Sequence, residues 1–112
     1  MLSRTVRFGD TDSAGVIHFY QLFRWCHEAW EESLERYGLA APAVFPGARG
    51  QAFWPDIALP VVHCEADFIR PVYNGDRLKV LLVPQRLDSG CFEVAYQFQL
   101  DSAVVATGLI RH

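Results

Sequence analysis

Two spacings of apolar residues run along this chain, one near 3.6 and one near 2. Over residues 19–37, Phe19, Leu22, Phe23, Cys26, Trp30, Leu34 and Tyr37 recur at steps of three and four. That rhythm predicts an amphipathic helix. Arg24, His27, Glu28, Glu31, Glu32, Glu35 and Arg36 fill its other side, and Gly38 follows as a C-cap. Elsewhere the period is two. Residues 91–100 place Phe92, Val94, Tyr96 and Phe98 on one face of a strand. Residues 3–8, 61–69, 77–87 and 104–112 read as four more strands, with a bulge or an edge expected at Pro84. Turn chemistry separates them at Gly9 to Gly15, Pro71 to Asp76, Asp88-Ser89-Gly90 and Asp101-Ser102.

The order is one short strand, one long helix, then consecutive antiparallel strands. A single amphipathic helix buries its stripe by lying on one face of such a sheet, so the expected class is α+β. Residues 39–60 are irregular and hold Pro42, Pro46, Gly47, Gly50, Pro55 and Pro60. Loops of that length are often functional. Phe53 and Trp54 within it need an apolar partner, supplied either by the loop itself or by a pocket they line.

Composition narrows the picture. With 112 residues this is one domain, and 51% hydrophobic with 13% aromatic content is rich for a small monomer. Burial against another copy is expected, as a homodimer or homotetramer. A net charge of −3 with no basic patch argues against nucleic acid. Any phosphate contact has to be local. Cys26, Cys64 and Cys91 form no pair pattern and read as reduced core thiols of a cytoplasmic protein. No signal peptide is expected from the first residues, and no apolar run reaches the ~18 residues that cross a membrane. The chain stops inside a strand pattern, which leaves open whether the native chain extends past His112.

The candidate chemistry lies just before the helix, at Asp10-Thr11-Asp12-Ser13-Ala14-Gly15. A carboxylate there faces the unpaired amides of a first helical turn. One small site then offers a nucleophile or base beside a seat for an oxyanion. Asp10 reads as a turn and capping residue. Asp12 reads as catalytic or structural from spacing alone, with the small residues behind it letting a ligand approach the backbone. A calcium loop fails, because Ala14 stands where an oxygen ligand is wanted and Gln21 stands where the closing Glu would be. His18 and His63 are too few and too far apart to predict a metal. His63 is either a strand histidine satisfied by backbone or a substrate contact. No nucleophile elbow and no glycine-rich phosphate loop is present. Glu65 is a second carboxylate candidate if it faces the helix start.

These residues resemble a known family. Phe8-Gly9-Asp10-Thr11-Asp12-Ser13-Ala14-Gly15-Val16-Ile17-His18-Phe19-Tyr20, the Cys26-His27-Glu28-Ala29 stretch of the helix, and Leu59-Pro60-Val61-Val62-His63 through Asp67-Phe68 to Gly75-Asp76-Arg77-Leu78 look like the hotdog-fold acyl-CoA thioesterases of the 4-hydroxybenzoyl-CoA thioesterase type. Within the family they are most similar to the branch that acts on 1,4-dihydroxy-2-naphthoyl-CoA in phylloquinone synthesis. The resemblance covers nearly the whole chain. It implies a helix wrapped by an antiparallel sheet, dimers joined through that sheet, and active sites at the interface. It implies that Asp12 is the catalytic carboxylate, that the Phe19 backbone amide polarises the thioester carbonyl, and that Gly15 belongs to the same turn. It implies an acyl-CoA substrate and no cofactor. His18, Phe53, Trp54, His63 and Arg86 are the expected substrate contacts.

Departures from the pattern are informative. The basic hairpin that holds coenzyme A phosphates in the family corresponds here to Leu87-Asp88-Ser89-Gly90, with only Arg86 close by. Arg70, Arg77, Lys79 and Arg86 are alternatives for that contact. An aspartate of ordinary acidity is a feeble base at neutral pH, which favours nucleophilic attack through a mixed anhydride over activation of water. Other readings of the same scaffold are a 4-hydroxybenzoyl-CoA-like or general thioesterase, a non-catalytic acyl-CoA-binding module, and a dehydratase using His18 and Glu28.

Overall fold

The computed structural model describes residues 2–36 and 61–112. Its elements are β1 (Leu2–Thr5), a 3-10 turn (Phe8–Asp10), α1 (Phe19–Arg36), β2 (His63–Phe68), β3 (Arg77–Asp88), β4 (Cys91–Leu100) and β5 (Ala103–Arg111). The strands form one antiparallel sheet in the order β1-β3-β4-β5-β2, and α1 packs on one face of it. The expected α+β layering is therefore present.

Alternation in the strands selects the inner face. Val80, Phe98 and Ala106 stand in one row across β3, β4 and β5, and Val94 stands beside Ile110 in another. All five are buried, together with Leu78 and Tyr96. Leu22, Trp25, Cys26 and Ala29 of α1 close the core over them. The Trp25 and Phe98 rings lie 6.2 Å apart. The buried stripe of α1 thus runs through Trp25 and Ala29, not through Phe19, which is 64% exposed at the helix start. Apolar residues make up half of this helix, so spacing alone does not choose the face; contact with the sheet does.

Boundaries moved where pairing decided them. β1 ends at Thr5 because its partner β3 begins at Arg77, directly opposite. Phe8, expected in the strand, sits in the 3-10 turn and is exposed. The β3 irregularity falls between Arg86 and Asp88, while Pro84 pairs in register with Val94. Among the described residues β1 covers β3 only as far as Val80. Pro84 therefore lies on an open edge, where a missing N–H costs nothing. Asp101 and Ser102 make the β4–β5 turn with φ of 50° and 71°, the left-handed pair that a tight hairpin needs. Of the three cysteines, Cys26 is core, Cys91 half-buried and Cys64 exposed. No described helix is long and apolar enough to cross a membrane. The expected Gly38 cap and the Phe53-Trp54 pair lie outside the described residues.

Candidate active site

Asp10 and Asp12 are two positions apart and do different work. The Asp10 carboxylate accepts from the Arg7 N–H at 3.0 Å and from the Gln21 side-chain amide, and its carbonyl accepts from the His18 N–H at 2.9 Å. It ties the entering chain to the first turn of α1. Asp12 spends one oxygen on its own turn: Oδ1 accepts from the Ala14 N–H at 2.8 Å. The loop closes through Gly15 N–H to Asp12 carbonyl at 3.0 Å and Asp12 N–H to Val16 carbonyl at 2.8 Å. Gly15 sits at φ +83°, a conformation that side chains resist. Asp12 Oδ2 accepts no hydrogen bond among the described residues.

This loop is stitched to the β2–β3 connection. Ile17 N–H donates to Val72 carbonyl at 3.0 Å, and Val16 bridges Tyr73. The stitching opens a cleft of about 350 Å³ lined by Asp12, Val16, Ile17, His18, Phe19 and the run from Phe68 to Val72. Asp12, His18 and Phe19 therefore share one wall. The Phe19 N–H, first of the helix, donates to no carbonyl among the described residues. A cleft with a carboxylate, an unspent helix-start amide and apolar walls suits attack on an activated carbonyl of an apolar acyl group.

The remaining expected residues are placed as follows. His18 lines the cleft; its Nδ1 is buried without a partner and its ring packs against Phe19 and Tyr20. Gly15 shapes the loop but does not line the cleft. His63 is exposed at the start of β2, 3.7 Å from Glu65, and is not part of this wall. Arg86 is turned to its own hairpin, where Nε donates to Asp88 carbonyl at 3.2 Å. Within one chain, then, neither joins Asp12. Conversely, Phe68, Ile69, Arg70 and Pro71 line the cleft and were not singled out as acyl contacts. The Phe-Ile-Arg-Pro run, apolar residues ending at a proline, carries the only trace of that role in the sequence. No group of described residues has the makings of a metal site.

An exposed carboxylate beside a helix start, on a single helix laid across a five-stranded antiparallel sheet, defines the class: this chain belongs to the thioesterase-like superfamily, whose family model matches residues 6–112. At the level of particular proteins, it is 70% identical over 111 residues to the 1,4-dihydroxy-2-naphthoyl-CoA hydrolase of Parasynechococcus marenigrum strain WH8102, covering 99% of this chain and 73% of that one. It is 55% identical over 112 residues to the enzyme of the same name from Prochlorococcus marinus strain MIT 9303, covering 100% and 74%. The crystal structure of a 1,4-dihydroxy-2-naphthoyl-CoA thioesterase from Synechocystis superposes with a TM-score of 0.85 at 32% identity, over 99% of this chain and 77% of that one.

Proposed function

We propose that this protein hydrolyses 1,4-dihydroxy-2-naphthoyl-CoA, releasing coenzyme A and the naphthoate used in phylloquinone synthesis. The observation that carries the reading is the 70% identity, across almost the whole chain, to a hydrolase of that name. The cleft supports it chemically. In our reading the thioester oxygen sits on the Phe19 N–H, helped by the positive end of α1. Asp12 then attacks the carbonyl carbon through Oδ2, or activates a water to do so. Attack expels the coenzyme A thiolate and leaves a mixed anhydride, which water hydrolyses to free Asp12 and the acid.

His18 packs the acyl ring, with Gly15 holding the loop shape and Phe53 and Trp54 as further acyl contacts. His63 and Arg86 reach substrate only from a second copy, so this reading includes a homodimer or homotetramer. Burial supports it: Val62, Phe68 and Ile69, at the sheet edge made by β2, are 66%, 48% and 56% exposed in the single chain. The compartment that fits the free thiols is the cytoplasm.

The test is thiol release from a panel of acyl-CoA thioesters, wild type against Asp12→Asn. Release is expected to be fastest with the dihydroxynaphthoyl thioester and nearly abolished in the variant. A wild type that is inert across the panel leaves a binding module instead. Equal turnover of aliphatic and aromatic thioesters leaves a general thioesterase.

A further inference from the structure

We propose that Arg70 is the residue by which the cleft recognises a ring hydroxyl of the aromatic acyl group. The assignment rests on the reading that this cleft takes a hydroxyaroyl thioester.

A regular strand sends alternate side chains to opposite faces, so five consecutive residues cannot line one cleft. Phe68 through Val72 do. The regular strand β2 ends at Phe68, and the segment beyond it is held at one carbonyl. Val105 is the extra residue where the β4–β5 register slips, between the pairs Phe98–Ala106 and Gln99–Val104. Its carbonyl accepts from two successive amides of the segment that follows β2, Ile69 N–H at 2.9 Å and Arg70 N–H at 3.1 Å. Such bulges re-aim side chains. Pro71 follows, and a proline narrows the backbone conformations open to the residue before it. The chain therefore fixes the Arg70 backbone from both sides and brings the residue to the wall shared with Asp12.

Arg70 is spent on nothing else. Among the described residues its guanidinium makes no hydrogen bond and no ion pair, and none joins it to Asp12. By contrast Arg4 pairs with Glu32, Arg24 with Glu28 and Arg111 with Glu93. Arg77 reaches Thr5 and Arg86 its own hairpin. Among the described residues that line this cleft, Arg70 is the one arginine or lysine.

Distance chooses between the acceptors a thioester of coenzyme A offers. A compact volume of this size is roughly 9 Å across, enough for an aromatic acyl group and the sulfur. The extended arm between that sulfur and the first phosphate spans about four peptide lengths, ~15 Å. A group that shares the cleft with the attacking carboxylate thus meets the ring. A guanidinium suits a phenolic oxygen there, since it donates in the ring plane and tolerates an aromatic face.

The experiment compares wild type and Arg70→Gln on three thioesters: 1,4-dihydroxy-2-naphthoyl-CoA, 2-naphthoyl-CoA without hydroxyls, and the dihydroxynaphthoyl thioester of pantetheine without the nucleotide. The variant is expected to lose ~10- to 100-fold in kcat/KM on the first, mostly in KM, as fits one charge-assisted hydrogen bond. The same loss is expected on the pantetheine thioester, and less than about threefold on 2-naphthoyl-CoA. Arg70→Lys recovers part of it. Equal losses on the two ring types overturn the assignment. So does a loss that disappears with pantetheine, which moves Arg70 to the phosphates. Wild-type turnover judges the thioesterase reading separately. Should wild type be inert, equilibrium dialysis of the free acids decides Arg70: weaker binding in Arg70→Gln of 1,4-dihydroxy-2-naphthoate but not 2-naphthoate supports it, and equal weakening overturns it.

Discussion

The middle of α1 and its first turn face the same sheet yet are built on opposite plans. Under the middle, Leu22, Cys26 and Ala29 are fully buried against Tyr96, Phe98 and Ile110, and almost every atom has been given to packing. At the first turn, Phe19 and its neighbours across the cleft, Phe68 and Ile69, are about half exposed, and Asp12, Arg70 and the Phe19 amide retain unspent bonding capacity. The contrast teaches where free energy was invested. One region is closed by packing; the other leaves polar groups unspent beside an open cleft.

That separation predicts that changes in one region leave the other's readout alone. The largest effect belongs to the cleft. Asp12→Asn keeps an oxygen for the Ala14 amide, so the loop is retained, yet it removes the charge. A fall in kcat of about 10²- to 10⁴-fold with unchanged Tm is expected. A matching loss of Tm in thermal melts would show that Asp12 is structural. Next comes the core: Leu22→Ala is expected to cost about 2–5 kcal/mol in denaturant melts while kcat of the surviving folded protein holds. A proportionate loss of kcat would merge the two regions into one. Gly108→Ala is smaller. A Cβ there would meet Cys26 Sγ at 3.0 Å, in a tight layer where overpacking costs about 1–3 kcal/mol. Adding Cys26→Ala should restore much of it, and a strictly additive double variant rejects the contact as the cause.

The smallest effect is a pH dependence. Burial first, and then neighbouring His112, hold the His27 imidazole below its usual pKa of 6.5. The unfolded chain therefore binds this proton more readily than the folded one. Stability is complete above 6.5 and declines as pH falls from there toward the folded value. Solvent screens this half-exposed ring, so the decline is under about 1 kcal/mol. His27→Gln should flatten the Tm profile between pH 7 and pH 5; an unchanged slope removes His27 as its source.

Much of this was legible locally. Strand β4 spans the residues its alternation marks, and the Asp101-Ser102 turn falls where its two turn formers stand. The D-T-D loop was legible as a candidate site because a carboxylate, small residues and a helix start occur within ten positions. Arg70 was harder to place: as one of four strand cations it carried no mark, and only the shared Val105 carbonyl brings it to the cleft. Arg86, equally exposed in the sequence, is engaged by the turn that follows it. The buried side of α1 was read only in part, since the expected stripe included the exposed Phe19 and left out the buried Trp25.

By itself the sequence determined the kind and order of elements, the family, and Asp12 as the carboxylate to watch. These follow from side chains a few positions apart, whose effect on backbone conformation is local. Tertiary structure decided which helix face is core, which wall completes the cleft and which cation it receives. Those depend on residues some fifty positions apart meeting across a sheet, and strand order and register, not spacing, set that encounter.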